Sequence, residues 1–235
     1  MKKNLLALAF LVGLLTCCKS EDAPIKPVKP TDPGSINKEY MSRAETTFAN
    51  IFKYYWSDKV RMMFGSYPNT LGTPQEPSSP DYDSHAYLWG LGSVVSAFNA
   101  IVQNTDNVDF RMTYESRLKE TLLKYYNTTK EPMCFGCFVN PHDQRLYDDA
   151  IWVGIDLADL YSKTKDSWYL DYAKSVWNFV LSGKDDELGG GVYWDENAKD
   201  SKNTCSNAPA VVLALKLYQI TNDAAYLENG KDIYK

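Results

Sequence analysis

Apolar residues recur at helical spacing along the body of the chain, from about residue 37 to its end. In one segment Leu170, Ala173, Trp177 and Val180 fall on a single stripe, as the period of an amphipathic helix requires. Strand-like alternation is scarce. The pattern predicts helices over residues 37–56, 84–103, 108–127, 148–163, 167–182, 205–220 and 224–235. The body is therefore predicted to be all-α.

An internal repeat organises the second half of this pattern. A Leu-Tyr pair at residues 160–161 and a Thr-x-Asp turn at 164–166 recur 57 residues later, at 217–218 and 221–223. Repeated helical hairpins are typical of open solenoids and of closed toroids. Long loops rich in Gly and Pro lie on one side of the hairpins and favour a closed toroid. They cover residues 67–84, 131–146 and 185–203.

The N-terminal residues resemble an export signal. Two lysines precede an apolar run, Leu5–Leu15, which is too short to span a bilayer. The run ends in Leu-Thr-Cys-Cys, which resembles a bacterial lipobox and implies cleavage before an acylated cysteine. Cys18 fits best as the lipid acceptor, and Cys17 is the alternative. An ordinary secretory signal is the competing interpretation of residues 1–17.

A Pro-rich segment follows the predicted lipid acceptor. Residues 18–36 contain four prolines, favour extended conformations and are predicted to form a tether ahead of the domain at 37–235. The acidic Glu21 and Asp22 resemble the surface-export signal of some Gram-negative lipoproteins. We therefore expect an exported outer-membrane lipoprotein, held to the membrane by its lipid at the cell surface or the periplasmic face.

Charge and composition exclude one class of partner. The formal net charge of −5 argues against a nucleic-acid ligand. The chain also contains 17 Tyr, 9 Phe and 6 Trp, which serve helix packing or stacking on sugar rings, and composition does not separate these two uses.

Three cysteines lie beyond the lipobox. A zinc site would require Cys134, Cys137, His142 and Cys205 to converge. In an exported protein the favoured interpretation is a local disulfide within the Cys-x-x-Cys segment, or two free thiols. No metal ligand set is therefore predicted.

The sharpest candidate for chemistry is Asp148-Asp149, which opens an apolar helix. One interpretation is that Asp148 caps the helix, because carboxylates are stabilised at helix N-termini. The functional interpretation is a catalytic pair. Retaining glycoside hydrolysis needs a nucleophilic carboxylate and an acid/base carboxylate roughly 5 Å apart, which neighbours in a first turn can approach. Mutual repulsion then keeps one of the two protonated to higher pH.

A second constellation surrounds three glycines at residues 189–191. Glycine lets the backbone approach a ligand closely, and Tyr193 and Trp194 follow with flat faces beside a carboxylate. Asn207, near the start of the next helix, is either a hydrogen-bonding partner for a sugar or a cap. A flexible turn is the plain alternative for the glycines.

Taken in order, these motifs resemble family 76 glycoside hydrolases. Tyr-Asp-Asp-x-x-Trp at 147–152 is followed by Gly-Gly-Gly-Val-Tyr-Trp at 189–194 and Ser-Asn-Ala-Pro-Ala at 206–210, and Ala-Tyr-Leu-Trp at 86–89 precedes them. The family consists of α-1,6-mannanases with an (α/α)6 toroid. The resemblance therefore implies a hydrolase acting on α-mannan or manno-oligosaccharides, with no metal or organic cofactor.

By position, the resemblance implies that Asp148 is the nucleophile and Asp149 the acid/base. It also implies that further side chains line the substrate cleft. These are Tyr147, Trp152, Tyr193, Trp194, Asn207 and Trp89.

The repeat sets an expectation about completeness. Toroids of this family close with six hairpins, whereas residues 37–235 hold about three and a half repeats. We therefore expect an incomplete toroid, truncated at the C-terminus, with low stability and little or no hydrolysis.

Other carbohydrate-active enzymes share the toroid and are the alternatives. Sugar 2-epimerases work through histidines, and this chain has only His85 and His142. Uronyl hydrolases need basic residues to hold a carboxylate, and no such cluster surrounds the Asp pair. The remaining alternative is a catalytically incomplete surface glycan-binding lipoprotein.

Overall fold

Helices dominate the residues that the structure describes, as the periodicity predicts. The structure is a computed structural model and describes residues 33–68, 85–139 and 144–235. Residues Glu39–Lys235 form one unit. The helices in the described ranges are α1 (Pro33–Tyr55), α2 (Leu88–Asn104), α3 (Val108–Tyr125), α4 (Tyr147–Thr164), α5 (Ser167–Ser182), α6 (Thr204–Thr221) and α7 (Ala224–Tyr234).

Two antiparallel hairpins are the main departure from the predicted elements. β1 (Trp56–Ser57) pairs with β2 (Met62–Met63), and β3 (Tyr126–Asn127) pairs with β4 (Cys134–Phe135). Strands of two residues carry no alternation that a sequence pattern can reveal. The second hairpin ends α3 two residues earlier than predicted.

The predicted N-terminal features fall almost entirely outside the described residues. The signal at 1–17, the acceptor Cys18 and most of the tether lie there, and so does His142. The last four residues of the predicted tether belong instead to α1, which begins at Pro33. Proline is well suited to a first helical position, because its fixed φ fits the helix and its missing N–H is not needed there. Within the described ranges, no helix is long and apolar enough to cross a membrane.

The repeated Thr-x-Asp turns have the same geometry in both copies. Lys165 and Asn222, the middle residues, are left-handed, with φ of 62° and 56°. Asp166 and Asp223 then cap α5 and α7, each accepting from a backbone N–H two residues on, at 3.0 and 2.9 Å. Before α3, Asn107 also caps its helix, accepting at 3.0 Å. This third turn escapes the sequence comparison because Asn replaces Asp and the offset differs by two residues.

Neighbouring parallel helices contact each other between residues that are 57 apart, which is also the spacing of the sequence repeat. Asn99 of α2 donates to Asp156 of α4 at 2.8 Å, and Lys216 of α6 bonds to Asp159 of α4 at 2.5 Å. Each of these pairs is 57 residues apart. Consequently α2, α4 and α6 lie side by side with their N-termini at one end, and α4 is in the middle.

Packing around α4 is close. A Cβ added at Gly154 would lie 2.9 Å from Val176 of α5 and 3.1 Å from Leu213 of α6, so these helices approach to the limit that glycine allows. Aromatic rings fill the space among α1, α2 and α3, and they belong to Phe48, Phe52, Phe98, Phe110 and Tyr114.

Candidate active site

Asp148 and Asp149 lie in the first turn of α4, at the end where the N-termini of the parallel helices gather. Both are largely buried, with 8% and 9% of their surface exposed. The N-cap residue is Leu146, which offers no side-chain acceptor, and Asp148 Oδ1 accepts from the Asp149 N–H at 3.1 Å. Asp148 therefore accepts a hydrogen bond from one free amide of the first turn, although it does not occupy the cap position.

The protonation of Asp149 is strongly perturbed. Burial, with the nearby Asp148 carboxylate as a second cause, raises the pKa of Asp149 from 3.8 to about 6. A hydrogen bond with the Cys137 side chain acts in the opposite direction and lowers this pKa. Asp149 can therefore hold or release a proton close to neutral pH.

Trp194, one of the predicted cleft residues, contacts the aspartate pair. Its indole Nε1 donates to Asp148 Oδ2 at 3.2 Å, and its backbone carbonyl accepts from the Tyr147 N–H at 3.0 Å. Leu146 and Asp195 form an isolated antiparallel bridge beside this contact. The segment after the glycines thus runs along the start of α4 and brings an N–H donor to one carboxylate.

A buried arginine holds this segment in place, and sequence reasoning missed it. Arg145 is fully buried, and its guanidinium binds both carboxylate oxygens of Glu196, with the Nε–Oε2 distance at 2.8 Å. It also donates to the carbonyls of Lys130 and Pro132 at 3.2 and 2.6 Å. A buried charge requires such partners. No sequence signal marks this arginine, because its acid lies 51 residues away.

Asn207 holds the glycine-rich segment, so its amide is not free to bind substrate. Its Oδ1 accepts from the Val192 N–H at 2.7 Å, and its Nδ2 donates to the carbonyls of Val192 and Asn203, both at 2.9 Å. Gly191 has φ of 82°, and a Cβ there would lie 2.3 Å from Asn207 Oδ1. The glycine therefore allows a close approach to a protein amide rather than to a ligand.

Two predicted cleft residues lie in the core instead. The Tyr147 ring is buried and stacks on Phe179 at 4.3 Å between centroids. A Cβ at Gly183 would lie 2.2 Å from that ring. Tyr193 is also buried, with the Lys202 ammonium 4.5 Å from its ring centroid. Both rings face inward because large apolar surface is most stable when buried.

The three predicted tryptophans are exposed. Trp89, Trp152 and Trp194 have 55%, 43% and 36% of their surface accessible. Trp152 is one helical turn beyond Asp148 on α4, so the two lie on the same face of the helix. Trp89 is in the first turn of α2, whose N-terminus is at the same end. These indoles are available for stacking against a ligand near the carboxylates.

The cysteines of the described part are free thiols. Cys134 and Cys137 are buried and unpaired, so the local disulfide does not form, and Cys205 is exposed. Among the described residues, no three His, Cys, Asp or Glu side chains converge as a metal site requires. The fourth residue of the hypothetical zinc site, His142, lies outside those residues.

The parallel hairpin array, with buried carboxylates at one end, places the chain among the helical toroids of carbohydrate-active proteins. The model of glycosyl hydrolase family 76 matches residues 39–235, and the chain belongs to this family. The family expected from the motifs is thereby confirmed, as is the all-α toroid fold class. No curated protein sequence matches the chain.

Solved structures of family 76 proteins share the fold. The mannosidase Bt3792 from Bacteroides thetaiotaomicron VPI-5482 is 26% identical with a TM-score of 0.72, covering 83% of this chain and 52% of that one. A family 76 hydrolase from a bovine Bacteroides thetaiotaomicron strain is 30% identical with a TM-score of 0.70, covering 83% and 41%.

A third structure is an inactive α-1,6-mannanase variant from Salegentibacter sp. HEL1_6, with two consecutive aspartates replaced by alanine, in complex with alpha-1,6-mannotetrose. It is 23% identical with a TM-score of 0.61, covering 83% of this chain and 50% of that one. The chain thus spans about half the length of the structures that it matches.

Proposed function

We propose that this chain belongs to a glycoside hydrolase that cleaves α-1,6-mannosidic bonds of α-mannan with retention of configuration. The observation that carries the proposal is the buried Asp148–Asp149 pair, in which the pKa of Asp149 is raised to about 6. Such a pair supplies one carboxylate to attack and one carboxyl group that can exchange its proton close to neutral pH.

The proposed roles follow from the partners of each carboxylate. Asp148, held by the Trp194 N–H, attacks the anomeric carbon while the glycosidic bond breaks. The departing oxygen takes the proton of Asp149. Asp149 then accepts a proton from water, which attacks the anomeric carbon and releases Asp148 from the glycosyl ester. Two displacements at one carbon restore the original configuration.

The inactive Salegentibacter variant supports this assignment, because two consecutive aspartates were replaced in it. This chain contains another consecutive pair, Asp185-Asp186. Asp185 forms an ion pair with Lys202 at 2.6 Å, which lowers the pKa of that carboxyl group through a side-chain hydrogen bond. A carboxylate held ionised in this way is a poor proton donor, so the pair at the start of α4 is the better candidate.

The proposal is tested by incubating the complete protein with α-1,6-mannan. New reducing ends are measured, and proton NMR of the first products reports their anomeric configuration. We expect reducing ends and initial α-products. Initial β-products contradict retention. Binding of mannan without new reducing ends favours the alternative of a glycan-binding protein.

We also propose that the protein is an exported lipoprotein acylated on Cys18. The support is the sequence of residues 1–22 alone. Cys18→Ser is expected to prevent labelling by a palmitate analogue and to release the protein from the membrane fraction, whereas Cys17→Ser is the matched control. Continued acylation of the Cys18→Ser protein identifies Cys17 as the acceptor.

A further inference from the structure

A short segment, Trp194–Glu196, links the aspartate pair to the buried Arg145. At one end of the segment, the Trp194 indole N–H donates to Asp148 at 3.2 Å. At the other end, the Glu196 carboxylate binds the Arg145 guanidinium through both oxygens, with the Nε–Oε2 distance at 2.8 Å. A bidentate pair fixes the position and the orientation of its acid. The indole therefore lies two residues from a side chain whose place is fixed.

Arg145 can hold the segment because its own surroundings hold it. It is fully buried, and it donates to the carbonyls of Lys130 and Pro132 at 3.2 and 2.6 Å. Its guanidinium carbon lies 4.7 Å from the centroid of the Phe179 ring. The Arg145 carbonyl also accepts from the Glu196 N–H at 3.3 Å, so main chain and side chain both join the two residues. This pair is therefore unlike a surface ion pair between two mobile side chains.

Lys202 is the counterpart of Arg145 in the next repeat, 57 residues along the chain. Each cation donates to the carbonyl of the residue 15 positions before it, Arg145 at 3.2 Å and Lys202 at 2.7 Å. The side chain of Lys202 is also buried, with 4% of its surface exposed. Its acid, however, is Asp185 of the same loop, at 2.6 Å, whereas the acid of Arg145 is Glu196 of the next loop. Bracing a loop is thus common to both repeats, and the link to the next loop distinguishes Arg145.

Glu196 is ionised at neutral pH, so the ion pair is present there. Burial acts to raise the pKa of Glu196, but its hydrogen bonds with Arg145 and Lys130 hold that pKa below its usual value. The two cations contact the carboxylate differently. Arg145 is fully buried, whereas Lys130, at 2.9 Å from Oε2, is partly exposed. The buried cation is therefore expected to fix the segment, and the exposed one to contribute little.

We propose that Glu196 is a positioning residue for the nucleophile: bound to Arg145, it holds the Trp194 indole where its N–H donates to Asp148. The inference rests on the proposed function, because Asp148 is a nucleophile only if the aspartate pair is catalytic. A carboxylate that is held in one orientation needs less rearrangement to reach the transition state. Loss of Glu196 is therefore expected to lower kcat more than it changes KM.

Two substitutions at Glu196 disturb the ion pair to different degrees. Glu196→Gln keeps the length of the side chain but places an amide against the guanidinium, so the bidentate contact is lost. Glu196→Asp keeps the negative charge and is one methylene shorter, so the carboxylate no longer binds Arg145 with the segment in its original place. An unpaired buried charge is costly, so Glu196→Asp is the variant expected to keep more of the stability.

The first measurement is the indole N–H signal of Trp194, in proton–nitrogen correlation NMR of the complete protein with labelled tryptophan. Trp194→Phe identifies the signal, because the signal is then missing. We expect the proton signal to move upfield in both Glu196 variants, since the hydrogen bond to Asp148 that deshields the proton is lengthened or lost. A signal that is unchanged in both variants overturns the inference.

Two control variants separate positioning from a general loss of stability. Lys130→Ala removes the exposed partner of the same carboxylate and leaves Arg145 in place. Asp156→Ala removes a buried carboxylate that joins α4 to α2, away from the Trp194 segment. Both are expected to leave the indole signal of Trp194 where it is. A shift in either control as large as that in the Glu196 variants also overturns the inference.

The second measurement is a double-mutant cycle on mannan hydrolysis. If Glu196 acts through Trp194, its substitution costs no more than loss of the indole N–H, so Glu196→Gln should lower kcat by up to about tenfold with KM nearly unchanged. In the Trp194→Phe protein, the same substitution should cost less than about a further twofold. Losses that multiply in the double variant contradict an action through Trp194. If Glu196→Gln does not fold, Glu196→Asp takes its place in the cycle.

The two measurements separate this inference from the proposed function. If the indole signal moves in the Glu196 variants but no hydrolysis of mannan is detected, the positioning contact stands and the proposed function fails. If mannan is hydrolysed and the signal does not move, the hydrolase stands and the role of Glu196 is wrong.

Discussion

Helix α4 carries buried carboxylates in two regions whose surroundings differ. In its first turn, Asp149 lies beside the like charge of Asp148. About two turns further on, Asp156 is buried to a similar degree. There it accepts from Ser96 and from Asn99, the second at 2.8 Å. Burial raises the pKa of both Asp149 and Asp156, but at Asp156 the donors oppose the rise.

The comparison shows how a carboxylate with a strongly raised pKa differs from a structural carboxylate on the same helix. Asp156 receives a hydroxyl and an amide donor from α2, so it joins two helices while its lone pairs are satisfied. Asp149 is buried beside the like charge of Asp148, so its ionised form is costly. A site that needs a proton near neutral pH tolerates this cost, whereas a helix interface does not.

The largest expected effect is the loss of activity when either aspartate in the first turn of α4 is replaced. Asp148→Asn and Asp149→Asn are each expected to lower kcat by about 10³-fold or more, because each removes a group required in the transition state. Hydrolysis of α-1,6-mannan measures the loss. Asp185→Asn, in the other aspartate pair, is the control and is expected to retain activity. If either α4 variant keeps kcat within about tenfold of wild type, catalysis lies elsewhere.

The next effect is on stability and depends on pH. The folded-state pKa of Asp149 is raised from 3.8 to about 6, so folding opposes its ionisation. The resulting cost is absent below pH 3.8, grows as the pH rises through 6 and is then complete, at about 3 kcal/mol. Asp149→Asn should therefore unfold at higher denaturant concentration than wild type at pH 8 but not at pH 4. Equal stability at pH 8 would contradict the comparison.

Substitution in the second region should act in the opposite direction. Asp156→Ala leaves the donors of Ser96 and Asn99 without their acceptor in a helix interface, so we expect a loss of about 1–3 kcal/mol in the free energy of unfolding. Asp159→Ala, also on α4, removes a partly exposed ion pair with Lys216 of α6 and should cost under about 1 kcal/mol. Denaturant titrations measure both. A smaller loss for Asp156→Ala than for Asp159→Ala would contradict the structural role.

The smallest expected effect concerns the indole N–H of Trp194, which donates a hydrogen bond to Asp148 in the first turn of α4. Trp194→Phe keeps an aromatic face but removes the N–H that donates to Asp148, so kcat/KM should fall by about tenfold with little change in thermal stability. Trp152→Phe, at an exposed indole of the same site, is the control for lost ring area. If both variants lose the same activity, the indole N–H of Trp194 has no special role.

Much of this molecule is determined by local sequence. The helices follow from apolar periodicity, and the Thr-x-Asp turns follow from residues that cap helices and tolerate left-handed backbone. The position of Asp148 and Asp149 at a helix start is likewise visible in the sequence. The 57-residue offset of the repeat also gives the pairing of residues between α4 and its parallel neighbours, because repeated hairpins stack at a constant offset.

Only the tertiary structure decided which side chains face the carboxylates and which lie in the core. Tyr147 and Tyr193 belong to the sequence motifs, yet their rings are buried, whereas the indole N–H of Trp194 reaches Asp148. Arg145 meets Glu196 across 51 residues. Capping and periodicity depend on neighbours within a few residues, but burial and the shift in the Asp149 pKa depend on groups that folding brings together from distant segments.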